Sequence, residues 1–580
     1  MFKKLAASLR EYKKDTVLTI LSMVVEAGME ILIPFLISVF GAEVGKGNMQ
    51  GVYLYGGLMV GAAIISLIAG MLGGKFCAKA STGFAKNLRR DMYVNVQSFS
   101  FSNIDKFSSS SLVTRLTTDV TNVQFAFMML IRTAIRSPLM LIFSIIMSFL
   151  VDTTLPVVFF VSIPILAGTL IVVARLAFPI FRRLFKRYDA LNASVEENIK
   201  GMRVVKAYAK EEFETEKFTK VSNDLGREFT KAERILALNG PVMQLCMYGA
   251  LIAVVGIGAH LILHEKTGLL YTDLQSLIMY SFQILMSLMM VSMIFVMVIM
   301  SMESGRRIVE VLNEKSDLVN PEEPVNEVKN GDVRFDGVSF RYSEKAENFA
   351  LVDINLDIKS GETVGILGGT GSSKTTLVNL ISRLYDATEG TVSVGDVDVK
   401  KYDMEVLRKN VAVVLQKNTL FSGTIKENMR WGNPNASDED IVEACKLAQA
   451  DEFIVTFPDK YDTMIEQGGT NVSGGQRQRL CIARALLTSP KVLILDDSTS
   501  AVDMKTDAKL RKAFSEYIPE TTKIIIAQRV ASVQDADKIV IMDNGRIHAI
   551  GKHADLLASD PIYQEVYYSQ NKRSDQGGKN

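Results

Sequence analysis

The sequence predicts an α-helical transmembrane domain, six long helices extending into the cytoplasm, followed by an α/β P-loop domain. Three observations predict it. Apolar residues crowd into six segments before residue 301, and no such run recurs afterwards. Basic residues alternate between the stretches that join those segments. Beyond residue 330, short β-rich runs alternate with helical patterns around one glycine-rich turn, as in a mostly parallel sheet. At 580 residues the chain is too long for one domain. A net charge of +1 singles out neither nucleic acid nor an acidic partner. Cys77, Cys246, Cys445 and Cys481 are far apart and form neither a metal-ligand pattern nor a disulfide framework.

The apolar segments lie near 16–41, 52–74, 123–150, 155–178, 238–263 and 276–300, within a domain spanning residues 1–310. Each meets the roughly 20 residues a helix needs to cross a bilayer. The opening MFKKLAASLREYKK is basic and amphipathic without a small-residue cleavage site, so it reads as a surface helix rather than a signal peptide. That opening, 75–118 and 175–237 are rich in Lys and Arg, whereas 42–51 and 262–274 hold one lysine each and 151–155 none. Positive residues favour the cytoplasmic side, which puts both termini inside. Between Asp152 and Arg203 the interrupting prolines are Pro156, Pro164 and Pro179. About 50 helical residues would reach about 75 Å, against about 30 Å of hydrocarbon. The helices therefore project into the cytoplasm. They form either a separate helical hairpin or levers reaching the C-terminal domain, with turns near Ser102–Phe107 and Met202–Tyr208 at their tips.

Glu26 and Glu30 sit one helical turn apart in the first apolar segment, and Arg132 and Arg136 do so in the third. Charges at such depth are costly and face a cavity or each other. Two readings stay open: a structural ion-pair cluster, or glutamates lining a substrate cavity and attracting cationic amphiphiles. In the last segment Met286, Met289, Met290, Met293, Met297 and Met300 recur every three or four residues. The stripe is either plain packing or a soft surface accepting varied ligands, with Met293 the candidate cavity residue.

Residues 311–330 form a polar linker containing Pro321 and Pro324, 331–570 the second domain and 571–580 a flexible tail. The strand ETVGIL runs into Gly368, Gly369, Thr370, Gly371, Ser372, Ser373, Lys374, Thr375 and Thr376, and then a helix. Such a turn aims backbone N–H groups and a helix N-terminus at phosphates. Lys374 would reach the β- and γ-phosphates, and the Thr375 hydroxyl a magnesium ion. The usual pattern has glycine just before the lysine, where this chain has Ser373. Downstream come Gln416 after VAVVL, then Ser473, Gly474, Gly475 and Gln476 opening a helix. The apolar run VLIL then delivers Asp496 and Asp497, and IIIA ends in Gln528.

In this order and spacing the motifs resemble those of ATP-binding cassette (ABC) proteins, SGGQ before the second acidic motif being highly specific to them. Six membrane helices followed by one such domain resemble an exporter-type half-transporter over about residues 1–570. The resemblance implies two nucleotide-binding domains sandwiching two ATP molecules, each site using parts of both chains. Tyr342 matches the aromatic that stacks on adenine, and Gly368 to Thr376 would hold the phosphates. Thr375, Gln416 and Asp496 would arrange Mg²⁺ and its waters. Ser473, Gly474, Gly475 and Gln476 would serve the other chain's ATP. Ser500 to Asp503 resembles the segment through which the two sites communicate, and Glu466 the acid that meets the partner's coupling helix.

Two positions that carry the chemistry in active members differ here. Asp497 stands where a glutamate activates water, and Gln528 where a histidine is usual. Losing one methylene withdraws the carboxylate by about 1.5 Å, and misplacement by about 1 Å can cost on the order of 10²-fold in rate. Gln528 can donate a hydrogen bond to a γ-phosphate but carries no charge and shuttles no proton. The resemblance therefore implies a site that binds ATP and hydrolyses it poorly, while the intact SGGQ completes a partner's efficient site. This is similar to the degenerate-site subunit of bacterial heterodimeric multidrug exporters, whose members can also carry serine at the position of Ser373. The expected function is ATP-driven export of amphiphilic small molecules across the cell membrane. ATP and Mg²⁺ would be cofactors and a second half-transporter the partner, with no nucleic acid. A homodimeric lipid or peptide exporter, an ATP-gated channel and a regulatory subunit remain alternatives.

Overall fold

The computed structural model describes residues 1–263, 269–343, 346–498 and 502–576. The chain divides into two units, one of residues 1–97 and 108–314, the other of residues 98–107 and 315–580.

The first unit is all helical. A short α1 (Phe2–Ala7) precedes α2 (Lys13–Gly45) and α3 (Met49–Gln97); α4 (Phe101–Phe107) belongs to the second unit. Then follow α5 (Ser109–Thr114), α6 (Val120–Val151), α7 (Val157–Lys200), α8 (Met202–Ala207), α9 (Glu211–Ala237), α10 (Asn239–Leu263) and α11 (Tyr271–Asn313). Among the described residues, five stretches are long and apolar enough to cross a membrane: Arg10–Gly45, Met49–Gln97, Ser109–Val151, Glu211–Leu263 and Tyr271–Asn313. In α7 the apolar part, Val157–Val173, is shorter, although the helix itself runs 44 residues and about 66 Å. Pro156 stands before its first turn, while Pro164 and Pro179 lie inside without ending it. Apolar side chains such as Leu54, Ile64 and Leu67 stay exposed, as lipid-facing residues do. The helices meet through small residues. A Cβ at Gly73 would fall 2.2 Å from Met23 Cε, so α2 and α3 approach closely there. Tyr280, wholly buried, donates to the Ile31 carbonyl over 2.8 Å. Nearer the linker, Arg307 forks onto the buried Asp119 at 2.5 and 2.8 Å, with Ser304 donating to the same carboxylate.

The second unit has two sheets. The strands are β1 (Val333–Phe340), β2 (Leu351–Ile358), β3 (Thr363–Gly368), β4 (Glu389–Val394), β5 (Val397–Asp398), β6 (Val411–Val414), β7 (Gly423–Thr424), β8 (Met464–Ile465), β9 (Val492–Asp496), β10 (Thr522–Ile526), β11 (Lys538–Asp543) and β12 (Arg546–Gly551). An antiparallel sheet runs β2-β1-β4-β5. The main sheet runs β12-β11-β3-β10-β9-β6, parallel except for β12. Strands β9 and β10 are buried at every residue, which is why VLILD and TKIII read as continuous apolar runs rather than alternating ones. Helices α12 (Lys374–Ile381), α13 (Met404–Asn410), α14 (Ile425–Met429), α15 (Asp438–Leu447), α16 (Asp451–Ile454), α17 (Gly474–Leu486), α18 (Met504–Tyr517), α19 (His553–Ser559) and α20 (Pro561–Gln576) complete the unit.

Both expected lever-tip turns are short helices, α4 and α8. The first is tied to the C-terminal unit. Ser102 donates to Asp317 at 2.7 Å, Asn103 to the Lys315 carbonyl at 3.2 Å, and Tyr385 to Asp105 at 2.9 Å. The linker is likewise anchored, since Val325 exchanges backbone hydrogen bonds with Lys401 and Asp403.

Candidate functional site

Adjacent parallel strands bring motifs that are distant in sequence to one edge. The phosphate loop follows β3, Gln528 lies two residues past β10, Asp496 ends β9, and Gln416 lies two residues past β6. Because β3, β10, β9 and β6 are neighbours in that order, these side chains line the crevice outside the strands' carboxyl ends.

The loop's backbone explains its composition. A Cβ at Gly368 would lie 2.3 Å from the Met542 carbonyl oxygen, so no side chain fits. Gly371 has φ +85°, a region costly for residues with a Cβ. Ser373 also sits left-handed, at φ 69° and ψ 26°, directly before α12. Glycine is the unstrained residue there, and serine bears a cost of about 1–2 kcal/mol. The Lys374 amine donates to the carbonyls of Gly368 at 2.8 Å and Gly369 at 2.7 Å, and to the Ser372 hydroxyl at 3.1 Å. Burial lowers its pKa from the ordinary lysine value, against the pull of Asp496 and Asp497. Thr370 is exposed at the loop's tip, and Thr376 is buried in the first turn of α12.

The Thr375 hydroxyl donates to both oxygens of Asp496, at 2.9 and 3.1 Å. Burial pushes the Asp496 carboxyl above the usual range, Thr375 opposing it. Asp497 follows in the left-handed region at φ 50°, turning its carboxyl away from the strand. Its Oδ2 accepts from Gln528 Nε2 at 2.9 Å. Burial raises this carboxyl too, against the pull of the nearby Gln416 and Gln528 amides. Thr375 is thus paired with Asp496, and Gln528 with Asp497. Sequence spacing carries no signal of that last contact.

Tyr342, half exposed, donates to or accepts from the Thr376 hydroxyl at 2.8 Å and stands edge-on to Tyr385, ring centroids 5.2 Å apart. Tyr385, which the sequence reading missed, links this ring to Asp105 of α4.

On a different face of the unit, Ser473 caps α17. Its hydroxyl accepts from the Gln476 N–H at 3.2 Å, and Gln476 Oε1 accepts from the Ser473 N–H at 2.9 Å. This reciprocal box fixes the first turn and leaves Ser473 and Gly474 exposed, with Gly475 half-buried behind them. A helix N-terminus presented in that way suits an anion. Glu466 is exposed and accepts from the Thr470 hydroxyl at 2.8 Å. Of the Ser500–Asp503 segment, Ser500 and Ala501 lie outside the described residues; Asp503 caps α18 through the Thr506 N–H.

In the membrane unit Arg136 meets Glu30 at 2.5 Å and Glu26 at 3.6 Å, so these charges face one another. Glu30 also borders a cavity of about 340 Å³ lined by Ile33, Pro34, Met279, Phe282 and Gln283. Met293 is exposed on α11 and does not line it.

The donor set fits a nucleotide with a hard cation. The loop offers backbone N–H groups and Lys374, and the Thr375 hydroxyl and Asp496 carboxylate supply oxygens side by side. Among the described residues no group of three or more His, Cys, Asp and Glu is arranged to hold a metal alone.

Membrane-spanning helices joined to a P-loop domain with an SGGQ-capped helix define an ATP-coupled membrane transporter. The ABC transporter transmembrane region matches residues 16–302, and the ABC transporter domain residues 351–500. The uncharacterized ABC transporter ATP-binding protein YfiB of Bacillus subtilis is 36% identical over 569 residues, covering 98% of each chain. The ATP-dependent lipid A-core flippase of Haemophilus influenzae is 30% identical over 577 residues, covering 98% of this chain and 97% of the flippase. A solved bacterial Atm1-family ABC exporter with ATP bound shares the fold at a TM-score of 0.82, over 97% of this chain and 99% of that one, at 21% identity. The chain belongs to the ABC transporter superfamily and has the exporter-type fold.

Proposed function

We propose that this chain is one half of a heterodimeric exporter whose own P-loop site holds ATP and hydrolyses it slowly. The observation that carries the reading is the contrast between an altered acid, Asp497 bound to Gln528, and an intact Ser473–Gln476 box. The Gln528 amide on Asp497 Oδ2 competes for that oxygen with the water a base would activate. The box, lent to the partner's nucleotide, would present a hydroxyl and a helix N-terminus to its γ-phosphate.

At this chain's own site Tyr342 would stack on the base, and Lys374 would leave the loop carbonyls for the phosphates. Thr375, Asp496 and Gln416 would hold Mg²⁺, which when bound offsets phosphate charge. ATP then favours the closed pair of domains, and hydrolysis at the partner's loop reopens it. Glu466 would meet the partner, and both termini would lie on the cytoplasmic side of the cell membrane, a reading supported by the Lys- and Arg-rich segments.

The substrate reading is an amphiphile entering from the bilayer, taken beside Glu30. The ion pairs to Arg136 favour a structural role for Glu26, whereas Glu30 also faces the cavity. A lipid is the second reading, favoured by the likeness to the lipid A-core flippase. The test is ATP turnover of the full chain alone and with the half-transporter that co-purifies, each with Asp497→Glu and with the partner's equivalent glutamate changed to Gln. Slow turnover alone and loss on the partner change support the heterodimer; brisk turnover and transport by the chain alone refute it.

A further inference from the structure

Gln570, on α20, bridges the backbone on either side of Arg529. Its Oε1 accepts from the Val530 N–H at 2.9 Å, and its Nε2 donates to the Gln528 carbonyl at 2.8 Å. A side-chain amide that satisfies one donor and one acceptor of the same segment fixes that segment's position. Gln528 is the residue whose own side chain reaches Asp497 at 2.9 Å. The segment is held from its other side as well. Val530 and Val533 are 2% and 1% exposed, and the Ser532 hydroxyl donates to the buried Asp507 at 3.0 Å. Helix α20 is itself anchored, since the buried Tyr563 lies 2.6 Å from His553 Nδ1 and its N–H donates to Asp560 at 2.8 Å. Asp560 in turn lies 3.0 Å from His548.

We infer that Gln570 is a positioning residue for Gln528, setting from the C-terminal helix how that side chain meets Asp497 and the terminal phosphate. Without the two bonds to α20, the backbone at Gln528 and Val530 shifts among several settings, and its side-chain amide no longer rests at one place. The inference rests on reading Gln528 as a phosphate contact.

The test follows nucleotide held by this chain's own loop, using full-length protein in nanodiscs with whatever partner co-purifies. 8-Azido-ATP loaded with Mg²⁺ is chased with unlabelled ATP and cross-linked at intervals, so that the label marks the polypeptide holding the base. Gln570→Ala is expected to keep the initial labelling and to speed its loss on the order of tenfold. Gln570→Glu should behave alike, because a carboxylate accepts from Val530 but cannot donate to the Gln528 carbonyl. The double variant with Gln528→Ala should lose label no faster than Gln528→Ala alone, the coupling expected of residues acting through one another. Hydrogen exchange at the Val530 amide should quicken in Gln570→Ala while the main sheet is unchanged. Wild-type release by both Gln570 variants, additive effects in the double, or unchanged protection at Val530 overturns the inference while the reading of Gln528 stands. A Gln528→Ala variant that releases label at the wild-type rate overturns both.

Discussion

Gln528 Nε2 donates to Asp497 Oδ2 over 2.9 Å, so the two residues that depart from the usual hydrolytic pair are bonded to each other. A shortened acid and a neutral amide are thus coupled through one hydrogen bond. Restoring one without the other leaves the pair mismatched. Asp497→Glu with Gln528→His is expected to raise turnover at this site by on the order of 10²-fold, with either change alone giving a small part of it. Turnover is measured with the partner's glutamate changed to Gln, so that this chain's site dominates.

Ser373 is left-handed at φ 69°. Ser373→Gly removes the Cβ penalty and is expected to stabilise the domain by about 1 kcal/mol. In thermal unfolding that is a rise of about 2–4 °C for a domain of this size, with ATP affinity retained.

Asp496 is an acid whose folded pKa is raised by burial. Its ionisation therefore costs stability, and that cost appears as pH climbs from the ordinary aspartate value through the raised one. Asp496→Asn is expected to raise the unfolding midpoint of the nucleotide-free protein at neutral pH, the gain shrinking toward acid pH where the wild-type carboxyl is already neutral. The same variant should lose Mg²⁺-dependent ATP binding. A pH series of unfolding midpoints checks the sign.

Arg136 faces both membrane glutamates. Arg136→Met removes the guanidinium that meets both carboxylates and is expected to destabilise the detergent-purified protein on the order of 2 kcal/mol, below the about 3–5 typical of a fully buried pair. Adding Glu26→Gln and Glu30→Gln should recover most of the loss in the melting midpoint.

What was legible in the sequence was what the local backbone demands. Gly368 and Gly371 sit where a side chain fails, Ser473 and Gln476 close a four-residue box, and the continuous apolar runs of β9 and β10 announce a buried parallel sheet. The helical character of Phe101–Phe107 was not legible, because SNIDKF is polar and its partners, Asp317, the Lys315 carbonyl and Tyr385, lie more than 200 residues away. The bond from Gln528 to Asp497 and the bridge from Gln570 to Gln528 are likewise set by strand order and by docking of the last helix, which no spacing records. The fourth apolar segment was read correctly as helix, yet the prolines there mark no breaks: Pro164 and Pro179 lie within α7.

The central claim, that this chain lends its SGGQ surface to the productive site and keeps the slow one, is tested most directly by two substitutions compared in one preparation. Gly474→Asp adds a carboxylate to the first turn of α17, where it suits the helix but repels a phosphate; Asp497→Asn removes the shortened acid. In the protein purified with its partner, the account predicts that Gly474→Asp lowers ATP turnover by more than about tenfold and Asp497→Asn by less than about threefold. Equal, severe losses from both, or a severe loss from Asp497→Asn alone, would contradict it.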